Sequence, residues 1–342
     1  ALERYAQWLE RELRPLARGS FAIGRDALEV LLRERDLVDL DAEGLRRFGA
    51  DLYRETGDAL AAAARALGDS DWRDSVARLR ATHPKADGLV AAYRIEMERS
   101  REAVAAARVL TLPPGERLVV EAMPDFARTT LPYAAYVQPA PFERSRLGRF
   151  WVTLPLPGDS RATVRQRLAG HPRKGIAVIA CHEGYPGHHA QLSIAADHPS
   201  LARKALRSNV LIEGWGLYVE ELMTEIGHLA DPVTRLLRTK GLLWRAARIR
   251  VDVGLATSEL DVAGAAAFLV EGPRLEPPNA LAEVRRYTMD PLQPSSYALG
   301  RAEVLRLRDR ARARGVALRE FHDRLLAAGS LPPRLLATEL GL

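Results

Sequence analysis

The chain has 342 residues, of which 27% are charged and 47% hydrophobic, a balance typical of soluble globular proteins. The formal net charge is +6, but lysine and arginine are interspersed with aspartate and glutamate along helical patterns, so no nucleic-acid partner is predicted. The single cysteine, Cys181, excludes an internal disulfide framework and a thiolate-rich zinc site. No apolar run approaches the roughly 20 residues that a membrane-spanning helix needs.

The N-terminal stretch "ALERYAQWLERELRP" is charged and helical in pattern, unlike a signal peptide. We therefore expect a cytoplasmic protein. The missing initiator methionine leaves the alternative of an exported protein with a processed N-terminus.

The pattern of apolar residues predicts a mainly α-helical fold with a small antiparallel β-sheet. Residues 1–110 form a helical region in which Gly68 is a plausible helix stop. Within residues 111–160, the runs "RLVVEA", "AAYVQ" and "GRFWVTL" are predicted strands, and residues 161–342 are helical again. We expect these three regions to form one continuous domain around a cleft.

The segment "CHEGYPGHHAQ", residues 181–191, contains three of the eight histidines of the chain. In the common H-E-x-x-H zinc motif the second histidine follows the first by four residues, but here that position is Pro186. His188 and His189 follow His182 at six and seven residues. On a straight helix a seven-residue spacing separates side chains by about 10.5 Å along the axis, and a six-residue spacing faces another side. We therefore predict that the Pro186–Gly187 step breaks the helix and returns one of these histidines to a shared metal. Histidines that merely pack near a helix end are the alternative.

A further metal ligand is predicted in the helical stretch "NVLIEGWGLYVEELMTEIG", residues 209–227. Glu213 lies among apolar residues there, and a buried carboxylate needs a partner such as a zinc ion. Glu220 follows seven residues later on the same face, where it could hold a ligand histidine in place. A solvent-exposed helix face is the alternative for Glu220.

The segments "HEGYPGHHAQ", "EGWGLYVEEL", "YTMDPLQPSSYALG" and "FHDRLLAAGSLP" resemble the bacterial family named domain of unknown function 885, which is placed with the zincin-like metallopeptidases. The resemblance covers nearly the whole chain. It implies a gluzincin-type fold with zinc held by His182, His188 and Glu213 and with Glu183 as the general base. The chain departs from the family pattern at Ala256, where a histidine is usual, and at Leu292, where a glycine is usual.

Of the two later histidines we predict His188 as the ligand. Adjacent helical residues point about 100° apart, and His188 is the closer to the Pro186–Gly187 step. His189 should then point toward the neighbouring helices or the substrate cleft, where it could donate a hydrogen bond.

These residues predict a zinc-dependent hydrolase of peptide or small amide substrates, in which Glu183 takes a proton from a metal-activated water. The alternative is a non-hydrolytic metalloprotein with a tailoring or binding role.

Tyr297 is the candidate oxyanion donor, unless it is simply buried at a helix start. Arg245 and Arg248 could bind a substrate carboxylate, although Asp252 is an equally good partner for them. The strand "GRFWVTL" could offer an edge to an extended peptide. The choice between exo and endo cleavage and the oligomeric state stay open.

Overall fold

A computed structural model of the chain describes residues 1–128, 131, 133–140, 142–143 and 145–342. In these ranges the chain forms sixteen α-helices and three β-strands. The helices are α1 (Leu2–Trp8), α2 (Arg25–Val30), α3 (Ala42–Ala66), α4 (Trp72–Arg80), α5 (Leu89–Ala107), α6 (Arg161–Ala169), α7 (Arg173–Glu183), α8 (His188–Ala195), α9 (Leu201–Ala205), α10 (Asn209–Glu225), α11 (Pro232–Ala256), α12 (Val262–Glu271), α13 (Pro277–Tyr287), α14 (Gln293–Ala313), α15 (Leu318–Ala327) and α16 (Pro333–Leu340). The strands are β1 (Arg117–Ala122), β2 (Ala134–Val137) and β3 (Leu147–Val152). The predicted mainly helical fold with a small sheet is confirmed.

The helix boundaries follow local chemistry. Helix α3 ends at Ala66, and Gly68 adopts a φ of +86° just beyond it, so the predicted helix stop is confirmed. The helical pattern that continues past residue 70 divides into α4 and α5. Pro84 lies between them, and a proline disfavours helical geometry in the residue before it.

The sheet is mixed, so the prediction of an antiparallel sheet is wrong. The strand order is β1-β3-β2, in which β3 pairs with β1 in parallel and with β2 antiparallel. The third strand in the sequence inserts between the first two and pairs with each of them in a different direction. Because β3 is the central strand, it has no free edge for a peptide, and the prediction that "GRFWVTL" offers one is also wrong.

Helix α7 lies between two apolar clusters. On one side Val178 and Cys181 pack with Trp215 and Tyr218 of α10 in the largest cluster, which extends into α14, α15 and α16. On the other side its residues join a cluster formed by α5 and the sheet, whose members include Ile176, Ala180, Tyr93, Phe150 and Val152. Packing on both sides fixes the C-terminal end of α7, which carries the first histidine of the candidate site. None of the helices in the described ranges has the length and apolarity that a bilayer crossing requires.

Candidate metal centre

The predicted helix break is present. Helix α7 ends at Glu183 and α8 begins at His188, with the Pro186–Gly187 step between them. The carbonyl oxygen of Pro186 accepts a hydrogen bond of 2.8 Å from the indole Nε1–H of Trp215, which is fully buried. At Gly187 a Cβ atom would lie 1.8 Å from the carbonyl oxygen of His182, so only glycine allows the turn to pass this close to α7.

The turn brings three potential metal ligands together. The Nε2 atom of His188 lies 3.2 Å from Oε2 of Glu213, and Nε2 of His182 lies 3.8 Å from the same oxygen. The two imidazole rings are perpendicular, with centroids 4.8 Å apart. One donor atom from each residue lies within 4.8 Å of the others. The structure thus places the three predicted ligands, from α7, α8 and α10, around one point.

The donor set fits a zinc ion. Oε2 of Glu213 is buried and accepts no hydrogen bond from any described residue, whereas Oε1 accepts one of 3.2 Å from Nε2 of Gln293. His188 and His182 approach this oxygen at 3.2 and 3.8 Å without forming a hydrogen bond of good geometry. A cation between the three side chains would give the buried carboxylate a full partner. Two imidazole nitrogens and one carboxylate oxygen form a common ligand set of catalytic zinc. Nδ1 of His188 has no hydrogen-bond partner among the described residues, so none of them orients this ring through Nδ1.

Glu220 orients the ring of His182. Its Oε1 accepts a hydrogen bond of 2.9 Å from Nδ1, which leaves Nε2 facing His188 and Glu213. Glu220 is only 1% exposed, so the alternative of a solvent-exposed face is wrong for this residue. Burial by itself would lower the pKa of His182, but Glu213 and Glu220 outweigh it and raise this pKa to about 9 in the metal-free protein. A carboxylate behind a ligand histidine is the usual arrangement at zinc sites.

Gly216 gives the imidazole of His182 its space. A Cβ atom at this position of α10 would lie 2.7 Å from both Cε1 and Nε2 of the ring. Any larger residue would therefore move the ring or the helix. The sequence signal for this contact is the second glycine of "EGWG", which otherwise has a poor helix propensity.

Glu183 lies in the same cleft as the three ligands. It is partly exposed, and its Oε2 accepts a hydrogen bond of 3.2 Å from the backbone N–H of Tyr136 in β2. Strand β2 is an edge strand of the sheet, and Leu131 and residues 133–136 line the cleft. The strand edge beside the candidate site therefore belongs to β2.

Tyr297 lies beside the first ligand. Its ring stacks on that of His182 with a centroid distance of 6.2 Å and an interplanar angle of 19°. It is partly exposed in the second turn of α14, and its hydroxyl lies 3.4 Å from Nε2 of Gln293. Burial, with the nearby Glu213, raises the pKa of Tyr297, so the hydroxyl keeps its proton at neutral pH. A hydrogen-bond donor thus lines the cleft next to the ligands.

His189 does not line the cleft. It is fully buried, with Nε2 2.6 Å from Oε2 of Glu116 and Nδ1 3.1 Å from the hydroxyl of Tyr136. The same Glu116 oxygen accepts a hydrogen bond of 2.6 Å from the hydroxyl of Tyr185. His189 was predicted to point toward the neighbouring helices or the cleft, whereas these contacts tie α8 to β2 and to the residue before β1. No pattern in the sequence marks Glu116 as its partner.

Arg248 is 3% exposed and does not pair with Asp252, so that alternative is wrong. Its Nε donates a hydrogen bond of 2.8 Å to the hydroxyl of Tyr287, and its Nη2 donates one of 3.3 Å to Oε2 of Glu283. Asp252 instead accepts hydrogen bonds from the backbone N–H groups of Leu292 and Ser295.

Sequence reasoning missed Gln293 and Arg286. Nη1 of Arg286 donates a hydrogen bond of 2.7 Å to Oε1 of Gln293. This bond fixes the side-chain amide of Gln293 so that its Nε2 faces Glu213. Gln293 lies four residues before Tyr297, on the same face of α14, and this spacing could have identified it.

The two departures from the family pattern lie outside the ligand set. Leu292 adopts a φ of +71°, a left-handed conformation that glycine adopts without strain. Ala256 is buried in an apolar cluster with Leu28, Leu32 and Ile249, and it is absent from the described lining of the cleft.

The cleft has a volume of about 370 Å³ and holds the three ligands, Glu183 and Tyr297. Its wall also includes a group of charged and aromatic residues: Arg80, Lys240, Trp244, Arg245, Arg248, Glu276, Glu283 and Arg286.

The chain belongs to the family described as "Bacterial protein of unknown function (DUF885)", whose model matches residues 1–340. No curated protein matches the chain. Two solved structures share its fold. One is "a putative lipoprotein of unknown function" from Shewanella oneidensis, with 23% identity, a TM-score of 0.83, and coverage of 100% of this chain and 63% of the other. The second is "the putative lipoprotein from Colwellia psychrerythraea", with 24% identity, a TM-score of 0.84, and coverage of 99% and 59%. The chain therefore spans about three fifths of the length of these proteins.

Proposed function

We propose that the protein is a zinc-dependent hydrolase of peptide or related amide bonds, with a zincin-like, gluzincin-type architecture. The observation that carries the proposal concerns Oε2 of Glu213, a buried oxygen that accepts no hydrogen bond from the described residues. It lies within 3.8 Å of Nε2 of both His182 and His188, with Glu183 in the same cleft. A histidine followed by a glutamate at a helix end, with a second histidine and a further glutamate as ligands, matches the His2Glu ligand set of catalytic zinc.

His182, His188 and Glu213 would hold the metal. A zinc ion with three protein ligands supplies Lewis acidity and activates water near neutral pH. Glu183 would accept a proton from the attacking water and deliver it to the leaving amine. The backbone N–H of Tyr136 holds the Glu183 carboxylate in position, and its other oxygen, Oε1, remains available for that transfer.

Two further elements would bind the substrate. The hydroxyl of Tyr297 would donate a hydrogen bond to the oxyanion that forms at the cleaved carbonyl. An extended substrate would add to the sheet along β2, the edge strand that lines the cleft. Backbone hydrogen bonds from a strand edge position a peptide without selecting its sequence.

The metal content of the purified protein is the first test. We expect about one zinc per chain by plasma mass spectrometry, and hydrolysis of a mixture of short peptides that stops when a chelator removes the metal. A folded protein with all three native ligands that binds no divalent metal would refute the proposal.

The variant Glu183→Gln separates hydrolysis from a non-hydrolytic metal site. We expect it to retain zinc and to lose turnover at least a hundredfold, because the amide cannot accept the proton. The control Glu55→Gln changes an exposed residue of α3 and should leave both properties unchanged. Unchanged turnover in Glu183→Gln would favour the non-hydrolytic alternative.

We also propose that the protein acts outside the cytoplasm, which replaces the cytoplasmic expectation. The support is the description of both similar structures with the words "putative lipoprotein". Fractionation of bacteria that make the natural protein, followed with an antibody against this chain, should find it in the envelope. Recovery in the cytosol alone would refute this placement.

A further inference from the structure

The charged wall of the cleft contains more basic than acidic side chains. Five basic residues line it, namely Arg80, Lys240, Arg245, Arg248 and Arg286. Apart from Glu213 and Glu183, the acidic residues described in the lining are Glu220, Glu276 and Glu283. The cleft lining as a whole thus holds five basic side chains and five carboxylates, and the excess of two basic groups lies in the wall away from Glu183 and Glu213. That part of the cleft favours a ligand with negative charge.

Three of the basic groups lack a full set of partners. Nη1 of Arg248 and Nε of Arg245 are buried and donate to no described group. Lys240 has no carboxylate within ion-pair distance in the described part of the chain, and its ammonium group lies 6.0 Å from the ring of Trp244. Burial lowers the pKa of Lys240 to about 7, and an anionic ligand would restore its charge. Buried donors without acceptors are costly, so a ligand that supplies acceptors would bind favourably.

Arg248 is held in one orientation before any ligand binds. Its guanidinium carbon lies 4.1 Å from the ring centroid of Trp244 and 4.3 Å from that of Tyr297. Its hydrogen bonds to Tyr287 and Glu283 fix the plane of the group. A guanidinium that is fixed in this way loses little freedom when it binds a carboxylate.

The fixed guanidinium is close to the candidate metal centre. Tyr297 contacts both, because its ring centroid lies 4.3 Å from the guanidinium carbon of Arg248 and 6.2 Å from the centroid of the His182 ring. The path from Arg248 through the Tyr297 ring to the His182 ring is at most the sum of these two distances, a length that roughly three residues of extended chain would cover.

Lys240 and Arg248 both approach the ring of Trp244, at 6.0 and 4.1 Å from its centroid. We propose that these two residues form a carboxylate subsite beside that ring. It selects substrates that carry a carboxylate within about three residues of the cleaved amide bond. The proposal rests on the hydrolase function and names its substrate class. The carboxylate can be the C-terminus of a short peptide or an acidic side chain.

Binding to metal-free protein tests the subsite without hydrolysis. Calorimetric titrations would use three probes: acetyl-dialanine with a free C-terminus, its C-terminal amide, and the amide of acetyl-alanyl-aspartate. We expect at least one carboxylate probe to bind at least tenfold more tightly than the amide of acetyl-dialanine. Preference for the free C-terminus would indicate removal of C-terminal residues, and preference for the aspartyl probe would indicate recognition of acidic side chains.

Variants identify the residues responsible. Arg248→Met and Lys240→Met should each lower the affinity for the preferred carboxylate probe at least tenfold. Their affinity for the uncharged amide of acetyl-dialanine should change less than twofold. Arg250→Met alters an exposed arginine of the same helix, α11, and should behave as the wild type. If Arg248→Met does not fold, as judged by circular dichroism, Lys240→Met decides, since Lys240 has no ion pair to lose.

The subsite is refuted if the three probes bind the folded wild type equally, if none binds at millimolar concentration, or if both variants keep the preference. Failure of the hydrolase proposal would appear elsewhere, as missing zinc or missing turnover. The two outcomes are therefore distinguishable.

Discussion

Replacing Glu220 with alanine is expected to weaken zinc binding although Glu220 would not touch the metal. Its Oε1 lies 2.9 Å from Nδ1 of His182 and is the only described acceptor for that nitrogen. Loss of such a partner typically lowers metal affinity by about 10- to 100-fold, which corresponds to roughly 1.4–2.7 kcal/mol. We expect a loss near the upper end, because the ring is 4% exposed and water has little access to replace the carboxylate.

Glu220→Gln provides a graded comparison. The glutamine keeps an oxygen that can accept from His182, so its loss of affinity should stay below about tenfold. Zinc affinity would be measured by competition with a chromophoric chelator. Glu221→Gln is the matched control, since the neighbouring carboxylate points elsewhere and accepts a hydrogen bond of 3.0 Å from Arg301. The reasoning fails if Glu220→Ala binds zinc like the wild type, or if Glu221→Gln weakens binding equally.

Three further substitutions test the site and its surroundings. His188→Ala should lose zinc almost entirely, whereas His189→Ala should retain it, with a lower melting temperature and altered turnover. If a zinc titration showed that His189→Ala loses the metal and His188→Ala keeps it, the assignment of His188 as the ligand would be wrong. Gly216→Ala should lower zinc affinity at least tenfold, because a Cβ there would lie 2.7 Å from the first ligand ring, while Gly57→Ala in α3, where a Cβ meets nothing within 4 Å, should bind zinc normally; equal effects in a titration would reject the steric argument. Burial raises the pKa of Asp252 to about 6. The folded state therefore binds more protons than the unfolded state between about pH 4 and 6, and the free energy of unfolding falls as the pH rises through this range. The advantage of the wild type over Asp252→Asn in urea unfolding should therefore shrink by up to about 3 kcal/mol between pH 4 and pH 8, and a constant difference would contradict the raised pKa.

Local chemistry made the candidate centre predictable. A proline and a glycine between two histidines can be interpreted from backbone geometry alone, since both residues act on their own segment of chain. Glu213 was predictable because a carboxylate within an apolar helical stretch needs a partner wherever the helix packs. The structure places these residues together, and their role as metal ligands remains our proposal.

The arrangement of the sheet was not predictable in the same way. Alternation of apolar residues identifies a strand but does not specify which strand lies next to it. β3 lies between β1 and β2 and packs in one apolar cluster with residues of α5 and α7, which are distant in sequence. The identity of the edge strand beside the cleft was therefore wrong in the prediction, although all three strands were found.

Partners from distant segments were equally hidden. The hydrogen bond between His189 and Glu116 joins residues 73 positions apart, and neither residue type reveals the other. The leucine at position 292 does not itself indicate a left-handed backbone, because leucine rarely adopts a positive φ, and only the glycine usual in the family at this place points to one. Its amide is held by Asp252 and its side chain is 1% exposed, so burial and a hydrogen bond offset the backbone strain.

Helix α10 explains why a six-residue histidine spacing can still form a three-ligand centre. In an H-E-x-x-H helix one straight segment sets the positions of both histidines, but here the chain turns between them. Helix α10 supplies the third candidate ligand, Glu213, and the indole of Trp215 that binds the turn at Pro186. It also supplies Gly216, against which the ring of His182 packs, and Glu220, which orients that ring. The geometry that a straight helix would impose locally is thus set by contacts with a second helix, and for this reason "HEGYPGHH" and "EGWGLYVEE" lie together at the candidate centre.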